Sequence, residues 1–242
     1  MRSMQVVAIG GGEIHQQETL PIDRFIVRLT KKRVPRVLFI PTASDDSTDY
    51  IDNFRSIYEL QLGCSVKTLT VANTNIDENI VDRVAEADVI YVGGGNTRKM
   101  MQRWESIGLD KILTQASHES KILCGLSAGA ICWFESGFSD SERFTDDGSG
   151  WNYAEIPGLG LLSGMFCPHL DSENRLLPLV EYLSDKDRAV YASSDGTAVY
   201  SDGNEIHALT VSPSRSVFRI RSTGSTNVIR IERLATKILG YD

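Results

Sequence analysis

The sequence predicts an α/β fold of three layers: a mostly parallel sheet with helices on both faces, and antiparallel strands at its C-terminal end. Three observations predict it. Short apolar runs rich in β-branched residues alternate with helical patterns through the first half of the chain. These runs are apolar at successive positions, as in strands buried on both faces. Beyond about residue 185 the pattern changes to short strands separated by tight turns.

The first-half strands are Gln5 to Ile9, Val37 to Ile40, Val66 to Leu69, Val89 to Val92 and Ile122 to Cys124. Helical patterns fall between them at Leu20 to Thr30, Asp49 to Leu62, Ile76 to Ala85 and Thr97 to Ser117, the last broken near Gly108. Strict alternation of this kind calls for crossover units and parallel pairing. The later strands are Ala189 to Ala192, Thr197 to Tyr200, Glu205 to Leu209 and Val217 to Ile220, with a hairpin turn at Ser201-Asp202-Gly203-Asn204. They are expected to continue the same sheet. The segment Ser141 to Leu159, rich in Asp, Gly and Ser, reads as a surface loop or a lid. No repeat or linker divides the chain, so residues 1–242 are expected to form one α/β domain.

Composition narrows the function classes. Of 242 residues, 41% are hydrophobic and 24% charged, an ordinary globular balance. The net charge of -7 opposes nucleic acid and anionic membrane as partners, and the short run Lys31 to Arg33 reads as the solvated end of a helix. Cys64, Cys124, Cys132 and Cys167 lie too far apart in sequence for a zinc or thiol-exchange pair, and neither metal nor cofactor is expected. No segment offers the ~20 apolar residues of a membrane helix, and the N-terminal apolar run is too short for a signal peptide. A cytoplasmic location is the expectation. A homodimer through an exposed edge strand or apolar helix face is compatible with the sequence, which marks neither surface.

The strongest local signal is the run from Lys121 to Phe134, an apolar strand passing through Gly125-x-Ser127-x-Gly129 into an apolar helix. That is the context of a nucleophile elbow, in which a sharp turn tolerates only small flanking residues and thrusts the serine out at the strand's C-terminal edge. The alternative is an ordinary turn with a capping serine. A second cluster, Gly93-Gly94-Gly95-Asn96, follows another strand: its amides suit an oxyanion, while Asn96 either meets substrate or caps the next helix. Gly10-Gly11-Gly12 ends the first strand without dinucleotide-fingerprint spacing and reads as a tight turn on the active edge. Four histidines, His15, His118, His169 and His207, are available as a base, and position alone selects none. The turn Ser193-Ser-Asp195-Gly196 either borders the site or simply enters a strand, and the latter is adopted.

Val92 to Thr97, Gly125 to Ala130 and Pro168-His169, in this order and spacing, resemble the peptidase E family, which includes aspartyl dipeptidase and cyanophycinase. The resemblance runs from the first glycine loop to the C-terminal hairpins. It implies a class I glutamine amidotransferase-like or flavodoxin-like architecture and a serine-type dipeptidase or exopeptidase acting on short peptides. By position it makes Ser127 the nucleophile, His169 the base, and the amides of Gly95 and Ala128 the oxyanion hole. The family's acid follows the elbow helix, where Glu135, Asp140 and Glu142 are available. Glu135 would fall ~12 Å along the helix axis from Ser127, at the wrong end, so Asp140 is chosen, with Glu142 and Glu135 as alternatives. Asn96 and Arg175 are expected to bind substrate, Arg175 by meeting an acidic side chain; the alternative for Arg175 is simply to pair on the face of the helix that follows. An amidase or esterase on the same fold, or a non-catalytic protein binding a peptide or small anion, are the competing readings.

Overall fold

A computed structural model describes residues 4–72, 79–141, 153–223 and 228–240. It contains two sheets rather than one. The first has five parallel strands, in spatial order β3 (Ser65–Thr68), β2 (Arg36–Ile40), β4 (Val89–Val92), β5 (Ile122–Leu126) and β1 (Gln5–Ile9). Beyond β1 it continues through the antiparallel hairpin β10 (Thr197–Ser201) and β11 (Ile206–Thr210), and ends on β14 (Thr236–Ile238). Its central strands are buried on both faces because each alternate set of side chains has its own apolar layer. Val7, Ile9, Val89 and Tyr91 pack with α1 (Leu20–Leu29) and α2 (Thr48–Arg55), whose C-terminus runs on as a wider π-helical turn over Ser56–Gln61. Val6, Ala8, Ile90 and Val92 pack with α3 (Ile80–Glu86), α4 (Thr97–Ile107) and α5 (Leu109–Ala116). Gly108 separates α4 from α5 at φ 74°, a conformation that suits glycine. The N-terminal part of the helix expected from Ile76 lies outside the described residues.

The second sheet departs from expectation. Its order is β13 (Val228–Arg233), β12 (Val217–Thr223), β9 (Arg188–Ser193), β8 (Leu162–Cys167), β6 (Phe134–Ser139) and β7 (Ala154–Pro157). The strands around residues 190 and 217 therefore leave the first sheet, and β6, β7 and β8 are strands that the sequence reading did not name. The apolar run after Ser127 looks helical, yet α6 spans only Ala128–Ile131. The cause lies far along the chain: amides of Gly158, Leu159, Gly160 and Leu162 take the carbonyls of Glu135, Cys132, Phe134 and Trp133 at 2.7–3.0 Å. A longer helix would have kept those acceptors for itself. One face of the second sheet, with Phe134, Phe166, Tyr191 and Val217, joins the core beneath the first sheet. Its other face is covered by α7 (Leu176–Leu183) through Leu179 and Leu183. The segment expected to be a loop or lid contains β7, and its residues 142–152 lie outside the described residues. No helix among the described residues is long and apolar enough to cross a membrane.

Candidate active site

Ile9 is paired with Leu126, and Gly125 with Val92, so β1, β5 and β4 end side by side. Their three glycine-bearing exits consequently open on one edge of the sheet, where ligands of parallel α/β sheets collect. Ser127 leaves β5 at φ 54° and ψ -110°, a strained backbone for a residue with a side chain. Its amide donates to Ile9 O at 3.0 Å, while its carbonyl accepts from Ala130 and Ile131. A Cβ at Gly125 would stand 2.2 Å from Gly129 O, and one at Gly129 would stand 2.1 Å from Val92 O. The elbow therefore excludes any side chain at both flanking positions.

His169 follows β8 and Pro168, also with positive φ (52°). Its amide is held by Gly10 O at 3.0 Å. The ring stands between two partners: Nε2 is 2.9 Å from Ser127 Oγ, and Nδ1 is 2.7 Å from Asp195 Oδ1. A carboxylate only accepts, so this contact places the proton on Nδ1 and leaves Nε2 to accept the serine proton. Asp195 sits in the turn between β9 and β10, which is fastened by Gly196 N–H donating to Gly11 O at 2.9 Å. Burial raises the Asp195 carboxyl, but the hydrogen bond and charge of His169, then Ser172 and Arg215, outweigh it and hold the group below the ordinary carboxylate range. A hydroxyl, an imidazole and an ionised carboxylate thus form one hydrogen-bonded chain.

The carboxylate at His169 is Asp195, not Asp140. Because α6 ends after one turn, the carboxylates that follow it are carried into the second sheet. Asp140 lies 3.4 Å from Arg175 Nη2, and Glu135 accepts the amide of Gly164 at 2.9 Å. Glu142 lies outside the described residues. Arg175 also stands apart from its expected role. It is 1% exposed, donates to Phe138 O and Glu173 Oε2, and packs over the Tyr153 ring. Glu173, in front of it, is the residue that reaches the cleft. Asn96 caps α4, its Oδ1 accepting from Lys99 N–H at 3.0 Å and its amide facing Ser141 O.

Gly95 lines the cleft with Ser127, and its φ of 136° together with Ala43 O, 2.1 Å from where a Cβ would sit, makes glycine obligatory there. The neighbouring Gly94 amide donates to Tyr50 Oη at 3.3 Å. Of the other histidines, His15 lies at the cleft rim beside Glu13, whereas His207 pairs with Asp202 on β11. The cleft holds about 530 Å³. Among the described residues, no group of three or more His, Cys, Asp or Glu could hold a metal ion. Ser-Ser-Asp-Gly is an ordinary turn sequence, so nothing local marks Asp195. The available signal was topological: a strand paired antiparallel to β1 must start at the edge where β1 ends.

The model of peptidase family S51 matches residues 6–209. The uncharacterized peptidase YgaJ of Bacillus subtilis (strain 168) is 39% identical over 199 residues, covering 81% of this chain and 82% of that protein. Among solved structures, a candidate peptidase E protein from Listeria monocytogenes EGD-e superposes with a TM-score of 0.66 at 22% identity, covering 87% of this chain and 100% of the other. A peptidase from an acI-B1 Actinobacterium gives a TM-score of 0.64 at 17% identity, over 97% and 95% of the two chains. At such identities the two structures bear on the fold alone.

Proposed function

From the premise that the chain belongs to peptidase family S51, we propose that it is a serine-type hydrolase of short peptides, working through an acyl-enzyme on Ser127. The observation that carries this reading is the continuous contact from Asp195 through His169 to Ser127 Oγ, at 2.7 and 2.9 Å. In the first half-reaction Ser127 Oγ attacks the scissile carbonyl while its proton passes to His169 Nε2. Asp195 holds the ring in the required tautomer and balances the imidazolium charge. The oxyanion forms at the amides of Gly95 and Ala128, and loss of one such donor typically costs ~3 kcal/mol of transition-state stabilisation. His169 then returns its proton to the leaving amine. Water repeats the sequence on the acyl-enzyme.

A cleft of about 530 Å³ has the size of a small-ligand site and favours short peptides over folded protein chains. The test is to incubate the protein and its Ser127→Ala variant with a dipeptide panel and follow the release of free amino acids. Cleavage by the parent and none by the variant is expected. Equal cleavage by both would remove Ser127 from the reaction, and ester turnover without any peptide cleavage would move the activity to an esterase.

A further inference from the structure

The walls of the cleft carry one sign of charge. Glu13, Glu18, Glu173 and Asp195 line it together with His15 and His169, and among the described residues neither lysine nor arginine does. Two of the four carboxylates are matched locally: Asp195 by the His169 ring, and Glu173 by Arg175, which contacts Glu173 Oε2 at 2.5 and 2.8 Å from behind the wall. Glu13 has the partly exposed His15 at 3.3 Å. Glu18 is fixed rather than loose, because its Oε2 accepts the Glu13 amide at 2.8 Å.

The position of Glu18 relative to the reacting groups follows from the glycine loop. A Cβ at Gly11 would meet Asp195 Oδ1 and His169 Nδ1, whereas a Cβ at the next residue, Gly12, would stand 3.5 Å from Glu18 Oε2. Glu18 thus borders the glycine next to the one that packs on the His169–Asp195 contact. Both line the cleft into which Ser127 opens.

Resting on the hydrolase reading above, we infer that the cleft selects peptides bearing a cationic group beside the scissile bond, with Glu18 and Glu13 as its specificity residues. The group is an ammonium or guanidinium, supplied either by the peptide's free α-amine or by a Lys or Arg side chain. This is the opposite sign from an acidic side chain read by Arg175, which is buried away from the cleft. A carboxylate in this site would meet like charges, and a neutral residue would leave the glutamates without a partner from the substrate.

The test begins on the unaltered protein with matched peptide anilides: neutral with a free amine, neutral and N-acetylated, Lys- or Arg-first and N-acetylated, and Asp-first and N-acetylated. A neutral activated ester reports Ser127-dependent acylation separately. Acetylation of the neutral peptide is expected to lower kcat/KM at least tenfold if the α-amine is the ligand. Restoration by an acetylated Lys or Arg residue would assign the ligand to the side chain instead. Glu18→Gln keeps an acceptor for the Glu13 amide and is expected to raise KM for the cationic substrate about tenfold more than for the neutral ester; Glu13→Gln, at an exposed position, should act in the same direction. Acetylated Asp-first or acetylated neutral peptides cleaved as well as cationic ones, with ester turnover still lost in Ser127→Ala, would overturn the cation preference alone. Ester turnover retained in Ser127→Ala would overturn the hydrolase reading and this inference with it.

Discussion

Gly11 packs against two members of the hydrogen-bonded chain, its central His169 and its Asp195 end: an added Cβ would fall 1.9 Å from Asp195 Oδ1 and 2.4 Å from His169 Nδ1. The glycine run at the end of β1 thus has a steric purpose that its failed dinucleotide spacing concealed. Ser127 was legible in the sequence because the constraint on it is local, set by backbone atoms within and beside the elbow. Asp195 was not, because the contact that selects it joins residues 26 positions apart through strand order. The assignments separate experimentally. Asp195→Asn is expected to lower kcat by about three to four orders of magnitude, since an amide opposite Nδ1 favours the wrong imidazole tautomer. Asp140→Asn, whose side chain faces Arg175, should leave kcat largely unchanged. A loss of that size in Asp140→Asn, with Asp195→Asn active, would reverse the two.

Among the elements, α1 and the segment following α2 are joined across the same face of the first sheet by a buried carboxyl. Asp23 is wholly buried and accepts from Tyr58 Oη at 2.7 Å and Thr19 Oγ1 at 2.8 Å. Burial raises its carboxyl from 3.8 to about 6, against the lowering effect of both hydrogen bonds. The folded protein therefore holds a proton that the unfolded chain has released between those values. Stability is expected to fall as pH rises through that window, by on the order of 3 kcal/mol from this group. Urea unfolding at pH 4 and pH 7 measures the slope, and Asp23→Asn should flatten it; an unchanged slope would assign the dependence elsewhere. The boundaries of α1, α4 and α5 were readable from periodicity, with Gly108 marking the break. α6 and β6 were not, because amides of residues 158–162 decide where α6 stops, and no local pattern carries that information.

For the whole molecule, the alternating first half announced the parallel sheet, while the second sheet went unforeseen. Its strands pair in non-sequential order, with β8 between β6 and β9, so only tertiary contacts define it. The two sheets share one buried cluster in which Phe134 and Phe166 stack at 5.0 Å. Phe166→Ala is expected to cost about 3–5 kcal/mol, and to lower one unfolding transition rather than expose a separate early one in calorimetry. An independent early transition would show that the sheets unfold apart. That shared core also fixes the site, because Ser127 comes from the first sheet and His169 from the second, with Asp195 at the passage between them. The most direct test of this assembly is peptide mapping by mass spectrometry after reaction with a fluorophosphonate. A single adduct on Ser127, slowed at least a hundredfold in His169→Ala, is the expected result. An unmodified Ser127, or labelling indifferent to His169, would contradict it.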